Sequence, residues 1–417
     1  MRKLSHIFSI LLFVLLVQVT LPLNAAEKNV IEVSGKVKNL KNKKAIGNVS
    51  ITIPGTNIGT VTNQDGDFTL KIPIKNINAG LKAEQIGFQS VIVPYSEIKR
   101  KEGDVTILMN PTAKVLKELL VLGGDPKEIV AAAIKKIPEN YSDHDNLFSG
   151  FYRETVQKGR RFINVSEAMV DVLKKSYDHR NSNGEKVRIH KGRSLVSPNP
   201  KDTLSIKLMG GPYLPIQLDA VKNGEHLFSL DEINNFEFKL DNGTMIDDRT
   251  HYVINFKPIV SMPYPLYSGT LYIDGEDLTI SRVEFELDVK DKNKVTRSIL
   301  QKKPGGLNFK PLEVSGTVTY KTVDGKSYIN YINSKMRFKC DWKKRLFSST
   351  YTSNAEMVMV DREDAPEKNL KMKDSFGKRS VFSDIVENYW EEDFWKDYNI
   401  IEPTESLEEA VDRLRKS

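Results

Sequence analysis

Residues 267–287, YSGTLYIDGEDLTISRVEFEL, limit what the larger part of this chain can fold into. Leu271 and Ile273 alternate with polar Thr270 and Asp274, Asp274-Gly275 breaks the run, and Leu278 and Ile280 resume it. Side chains reverse direction at each strand residue, and Asp-Gly tolerates the positive φ of a tight reversal. The pattern therefore predicts a β-hairpin with one apolar face. The second strand then changes phase, because Leu278 and Ile280 are even-numbered while Val283, Phe285 and Leu287 are odd. A one-residue slip flips the buried face unless the strand bulges, so a bulge is expected near Ser281-Arg282, in a bent sheet.

Comparable signals run through the chain on both sides. Val33, Gly35 and Val37 alternate, as do Val49, Ile51 and Ile53. Pro54-Gly55 ends one strand, residues 63–67 join the next two, and Val91, Val93 and Val105 to Leu108 complete the set. Short strands at this spacing, with Gly-rich turns, predict a β-sandwich of about seven strands over residues 27–112. Asp65 and Asp67 alternate as calcium ligands do, but strand residues Phe68-Thr69-Leu70 follow where a calcium loop would need further ligands. A hairpin turn is the expectation.

After a linker at 113–124, Asp125-Pro126-Lys127-Glu128 reads as an N-cap, a proline at the first helical position and an acid closing a capping box. Val130, Ala133, Ile134 and Ile137 share one helical face, and Pro138 is expected to stop the run. Strands are expected at 147–156, 162–173, 187–189, 236–240, 251–256, 312–320 and 328–338. Asn183-Gly184, Asn242-Gly243 and Asp324-Gly325 are the turn signals between them. Ser406-Leu407-Glu408-Glu409 opens a terminal helix with an apolar stripe through Leu407, Ala410, Val411 and Leu414. The fold class is mainly β: a sandwich, then an α+β domain at 125–417 with a curved antiparallel sheet.

Residues 1–26 have the order of an export signal. Arg2 and Lys3 precede an apolar run from Ile7 to Val19, and Asn24-Ala25-Ala26 offers small residues for cleavage. That run lacks cysteine, so no lipid-modified N-terminus is expected, and no later run reaches the roughly 18 apolar residues of a spanning helix. Without Arg2 and Lys3 the net charge falls from +7 to +5, a mild excess in a chain of 417 residues. Export disfavours nucleic acid as a partner, and a basic protein near an anionic envelope surface is reasonable. The location expected is periplasmic or outer-membrane associated, with peripheral membrane contact allowed. The single cysteine, Cys340, permits no intramolecular disulfide and is expected in a strand.

The run SGKVKNLKNKKAIGNVSITIPGTNIGTVTNQDGDFTLKIP, followed by QIGFQSVIV, resembles the carboxypeptidase-like regulatory domain, a transthyretin-like sandwich common in envelope proteins of the Bacteroidetes. Its marks here are Ser34-Gly35-Lys36-Val37, Pro54-Gly55-Thr56, Asp65-Gly66-Asp67-Phe68 and Ile86-Gly87-Phe88. Residues 116–121 are similar to the strand that follows this domain in TonB-dependent receptors, but the remaining length cannot supply a plug and a 22-stranded barrel. The second region resembles the companion region of such proteins. Its plan, helix then curved sheet, is similar to periplasmic lipoprotein carriers with a half-barrel fold. That resemblance implies a cavity for acyl chains or an apolar peptide.

The chemistry motifs searched for do not assemble. His144, His179, His190, His226 and His251 show neither H-x-x-E nor H-E-x-x-H, and no nucleophile elbow, Walker loop or dinucleotide fingerprint appears. Carboxylates are plentiful, and a catalytic pair assembled in space stays open. No cofactor or metal is expected. The sequence therefore supports a non-catalytic, exported binding or scaffolding protein holding a hydrophobic ligand or a partner protein. The rivals are a hydrolase using carboxylates of the second domain and a glycan-binding surface protein. The contact residues expected are Tyr213, in a Pro-rich loop able to rim a cavity mouth, and Trp390 and Trp395, which either form a platform or pin the terminal segment.

Overall fold

The computed structural model describes residues 30–101, 103–112, 124–202, 206–208, 211–224, 229–343, 348–365, 371, 374–377, 380–391 and 394–416. The expected leader, and all but residue 124 of the expected linker, lie outside the described residues. The sandwich strands are β1 (Val30–Asn39), β2 (Ser50–Thr52), β3 (Gly59–Val61), β4 (Asp67–Pro73), β5 (Leu81–Glu84), β6 (Val91–Val93) and β7 (Asp104–Met109). They form one sheet in the order β4-β1-β7 and a second in the order β3-β2-β5-β6. Phe68, Leu70 and Ile72 alternate inward along β4, as do Val105, Ile107 and Met109 along β7. They meet Ile51, Ile53, Leu81 and Ala83 in one closed core. Asn63 Oδ1 accepts from the backbone N–H of both Asp65 and Asp67 at 2.9 Å, and Gly66 has φ +80°, so this acidic loop is a hairpin turn. A short helix, α1 (Tyr95–Arg100), precedes β7 without an alternation signal to announce it.

The second region opens with α2 (Pro126–Lys135), capped by Asp125, whose Oδ1 accepts from Lys127 N at 2.9 Å. The helix breaks at Lys136, and Pro138 sits in the first turn of α3 (Ile137–Asn140), where its missing N–H costs nothing. The strands that follow are β8 (Asn146–Lys158), β9 (Arg161–Lys174), β10 (Lys186–Val196), β11 (Lys207–Leu208), β12 (Phe236–Ile246), β13 (Arg249–Pro258), β14 (Tyr267–Asp274), β15 (Ile280–Leu287), β16 (Leu300–Lys302), β17 (Leu307–Val323), β18 (Lys326–Trp342) and β19 (Ser349–Asp364). Ten of them make one open antiparallel sheet in the order β10-β9-β8-β19-β18-β17-β15-β14-β13-β12, while β11 pairs with β16. The sheet is two antiparallel runs joined where the first long strand, β8, pairs with the last, β19.

The 267–287 hairpin has its bulge where the phase change put it. Tyr272 faces Arg282 and Ile273 faces Ile280, so Ser281 is the extra residue. The reversal itself is longer than a two-residue Asp-Gly turn. Positive φ falls on Leu278 (+64°), and Asp274 Oδ1 caps the loop by accepting from Glu276 N at 2.8 Å. Asn242-Gly243 is not a turn either. It is a register shift inside β12, and the chain reverses at Asp247-Asp248, with φ +53° and +56°. Asp324-Gly325 is the expected two-residue reversal.

The sheet curves around one apolar core. Val130, Ala133 and Ile134 of α2 join residues from both edges of the sheet, from Ile189 to Phe256. The hollow expected there is filled by the chain itself: by α4 (Tyr213–Gln217) with Ala220 and Val221 behind it, and by Phe376 with α6 (Phe382–Val386). The far end is closed by α5 (Lys292–Ile299) over Phe309, Phe338 and Cys340, whose thiol burial pushes up to about 11. The terminal helix α7 (Glu405–Arg415) lays Leu407, Val411 and Leu414 on Val165 and Leu195.

An ionic knot pins the plug to the sheet. Lys174 Nζ lies 2.8 Å from Glu185 Oε1 and 2.9 Å from Asp219 Oδ2, all three buried. Tyr177 and Tyr320 donate their hydroxyls to Asp219 at 2.8 and 2.7 Å. Removing one partner of a buried pair strands the others without compensation. Lys174→Met is expected to destabilise the protein by roughly 3–5 kcal/mol, read as a lower urea midpoint.

Candidate functional site: the cleft between sandwich and sheet

The outer face of the sheet carries a continuous polar row, one cross-strand partner per strand. It runs from Arg193 through Glu167, Arg153, Glu356, Asn333, Thr317, Glu284, Thr270 and Asn255 to Lys239. Its first part is buried and internally paired. Arg153 Nε donates to Glu167 Oε1 at 2.7 Å and Nη1 to Glu356 Oε1 at 3.2 Å, while Arg193 Nε donates to Glu167 Oε2 at 2.6 Å.

What covers this part is the sandwich together with a strap, residues 398–405. Arg153 Nη2 donates to the Ile401 carbonyl at 2.8 Å. From the other side Thr60 Oγ1 reaches Ile400 O at 2.6 Å, Asn63 Nδ2 reaches Pro403 O at 2.8 Å, and Lys71 Nζ reaches Tyr398 O at 3.0 Å. Val61 of the sandwich shares an apolar cluster with Phe151, Met169, Tyr331, Val358, Ile400 and Ile401. At the opposite margin Gly87 N donates to Met245 O at 3.2 Å, and Ser90 hydrogen-bonds Asp248.

Between those two lines of contact a cleft of about 400 Å³ remains. Ser50, Thr52, Lys82 and Glu84 come from the sandwich. Thr317, Thr319, Lys321, Tyr331 and Asn333 form a floor on β17 and β18, and Asp247, Arg249, His251, Asp274, Ser281 and Arg282 form the far wall. The volume lies in the range of small-molecule sites. Both β2 and β17 are interior strands with neighbours on each side, so their edges are already paired and neither offers an edge for adding a peptide strand.

Most charges in the cleft are spent on one another, and Lys321 is held by a backbone carbonyl. Lys82 bridges Glu84 and Asp247. Arg249 reaches Asp274 and Asp277 at 2.9 Å, Arg282 reaches Glu284 at 2.8 Å, and Lys321 Nζ donates to the Thr56 carbonyl at 2.8 Å. Burial, with a hydrogen bond to Asp247 and repulsion from it, pushes the Glu84 carboxyl up to about 7. Burial brings the Lys321 amine down to about 8. Burial opposes ionisation of Asp247 as well, but its hydrogen bonds with Glu84 and Lys82 hold it below the usual carboxylate range.

Two constellations here have the residue types of catalysis without its geometry. Lys82 Nζ contacts both Glu84 Oε1 and Asp247 Oδ1 and draws the two carboxyls around one ammonium, whereas a glycosidase pair must stand at least about 5 Å apart to admit the scissile bond. His251 Nδ1 lies 2.9 Å from the Arg249 carbonyl, which only accepts, so Nδ1 carries the proton and Nε2 faces Ser281 Oγ at 2.8 Å. Asp274 Oδ2 lies 3.8 Å from that same Nε2, in front of the ring rather than behind Nδ1, where a triad carboxylate belongs. His251 and Asp274 are cross-strand partners, and Ser281 is the bulge residue beside them; the group closes the hairpin.

The aromatic residues singled out in the sequence lie elsewhere. Tyr213 is 2% exposed in the inner core, with its hydroxyl 3.4 Å from the Ser182 carbonyl. Trp390 is 52% exposed, and its backbone bridges to Gly192. Trp395 falls in a short turn, Phe394–Asp397, and its side chain lies outside the described residues. Neither Tyr213 nor Trp390 lines the cleft. Alternation in β17 and β18 places Thr317, Thr319, Tyr331 and Asn333 on one face, but only the tertiary docking of the sandwich over that face makes them a site.

Residues 33–121 match the family model described as CarboxypepD_reg-like domain, so the first module is such a domain. Among solved structures, the chain is similar to a putative outer membrane lipoprotein-sorting protein domain from Vibrio parahaemolyticus. The identity is 11% and the TM-score 0.26, over 60% of this chain and 95% of that one. It is also similar to a DUF1329 family protein from Desulfovibrio piger, at 10% identity and TM-score 0.26, over 59% of this chain and 96% of that one. No curated protein matches the chain. Among the described residues no helix is long and apolar enough to cross a membrane.

The raised Glu84 carboxyl has a thermodynamic consequence. Its folded form binds a proton more tightly than the unfolded chain, so its contribution is complete below the ordinary value of 4.5 and is lost as pH rises through about 7. Glu84→Gln is therefore expected to flatten the decline in stability over that window, as checked by urea unfolding at a series of pH values. Lys321, at about 8, titrates above that window, while His251 and His144 titrate near it in both proteins, so the readout is the difference between the two slopes.

Proposed function

We propose that the protein is a non-catalytic, exported envelope protein that binds an uncharged, amphiphilic ligand, or an uncharged segment of a partner protein, in this cleft. The sandwich is one fixed wall, and the outer face of the curved sheet is the floor. The observation that carries this reading is a cavity of small-ligand size in which Lys82, Glu84, Asp247, Arg249, Asp274 and Arg282 are in ion pairs and Lys321 is tied to the Thr56 carbonyl, leaving hydroxyls, amides and short apolar surfaces to meet a ligand. A wholly hydrocarbon ligand fits it less well, because burying Thr317 and Asn333 against an alkyl chain would leave their polar atoms unsatisfied. Export is supported by the signal-like first 26 residues. The non-catalytic part is supported by the misplaced Asp274 and the closed Glu84–Asp247 pair.

Native mass spectrometry of the mature protein is expected to show a co-purifying neutral compound. Thr319→Trp, which fills the cleft floor, is expected to release it while keeping the melting temperature of ligand-free wild type. Retention of the compound by that variant, or co-purification of a purely hydrocarbon or strongly charged compound, contradicts the proposal.

A further inference from the structure

The loop between β13 and β14 exposes bulky apolar groups in close succession. Ile259 is 60% exposed, Val260 39% and Tyr264 50%. A single exposed leucine or isoleucine is ordinary on a soluble surface, but three such residues within six, on one projecting loop, are a patch that demands a partner. Pro258, Pro263 and Pro265 fix φ along the loop, and residues 259–261, 263 and 264 are all exposed.

Beside it stands α5, with Val295 and Ile299 in the core and a basic outer surface. Lys294 Nζ lies 3.2 Å from Ser261 Oγ, which ties the helix to the tip. Lys290, Lys292 and Arg297 are exposed, and none has a carboxylate within ion-pair distance among the described residues. The nearby acids are engaged by backbone. Asp288 Oδ1 accepts from Lys290 N at 2.9 Å, and Asp291 Oδ1 accepts from Asn293 N and Lys294 N at 3.0 and 3.1 Å.

We infer that the 259–264 loop and the basic surface of α5 together seat the protein on an anionic lipid surface, with the apolar tip in the headgroup–acyl boundary. An apolar wedge beside unpaired cations has the composition of interfacial membrane anchors. A protein partner is the poorer match, because lysine is depleted from the buried centres of protein interfaces. The tip lies at the opposite end of β13 from the Asp247-Asp248 turn that touches the sandwich. Ten residues at about 3.3 Å each separate the two by roughly 30 Å, so lipid contact leaves the cleft open.

The test is co-sedimentation of the mature protein with vesicles of phosphatidylglycerol and phosphatidylethanolamine, against vesicles of phosphatidylcholine alone. The inference expects binding to the anionic vesicles only, weakened at least tenfold by a salt increase that shortens the screening length from about 10 Å to a few ångströms. The Ile259→Ser/Val260→Ser double variant is expected to lose binding at least tenfold with an unchanged melting temperature. Tyr264→Trp is expected to show blue-shifted fluorescence when vesicles are added. Equal binding by the double variant, or no binding to anionic vesicles, overturns the inference. So does wild-type self-association that the double variant abolishes, which would assign the patch to a second copy of the chain.

Discussion

Arg153 is the joint on which the two modules depend. It stands on β8, an interior strand third from one edge of the ten-stranded sheet, and it is buried, where an unpaired guanidinium would cost several kcal/mol. Glu167 and Glu356 satisfy it within the sheet, and the Ile401 carbonyl completes it from the strap. That strap is held in turn by Thr60, Asn63 and Lys71 of the sandwich. The sandwich is therefore more than a bead on a linker, because its contacts close over a charge that the sheet cannot leave open to half-measures. The cleft is the space left where that closure stops, so its walls are placed by the same bonds.

Much of this fold was legible beforehand. Six of the seven sandwich strands, the Asp125 cap, the Ser281 bulge and the Asp324-Gly325 turn follow from local alternation and turn chemistry, while β5 carried no signal of its own. Failures came where a local signal admits two outcomes. Asn242-Gly243 has turn residues, but β12 absorbs them as a bulge because Asp247-Asp248 supplies two consecutive left-handed positions five residues later. The strand β19 passed unnoticed because its inward positions include Ala355, Met357 and Met359 rather than branched residues. The filled concave face was hidden for a different reason. Nothing local shows that Tyr213 and Phe382, separated by most of the sheet in sequence, meet inside it.

The site was the least legible part. Its floor residues read as an ordinary solvated strand face, and its charged groups pair across modules, as Lys82 does with Asp247. Lys82 holds Glu84 and Asp247 around one ammonium, and the serine–histidine contact has its aspartate on the Nε2 side of the ring. The sandwich supplies Ser50, Thr52, Lys82 and Glu84 to the cleft lining.

The most direct test of a rigid, pre-formed cleft is the distance between the modules in solution. Nitroxide labels at Lys41→Cys on the sandwich and Glu286→Cys on the sheet sit on exposed positions, and buried Cys340 is shielded from the label. Double electron–electron resonance on the unliganded protein should give a single narrow distance distribution. A broad distribution, or two populations that merge only on adding a ligand, would contradict the account, because the walls would then be assembled by binding rather than by Arg153 and its strap.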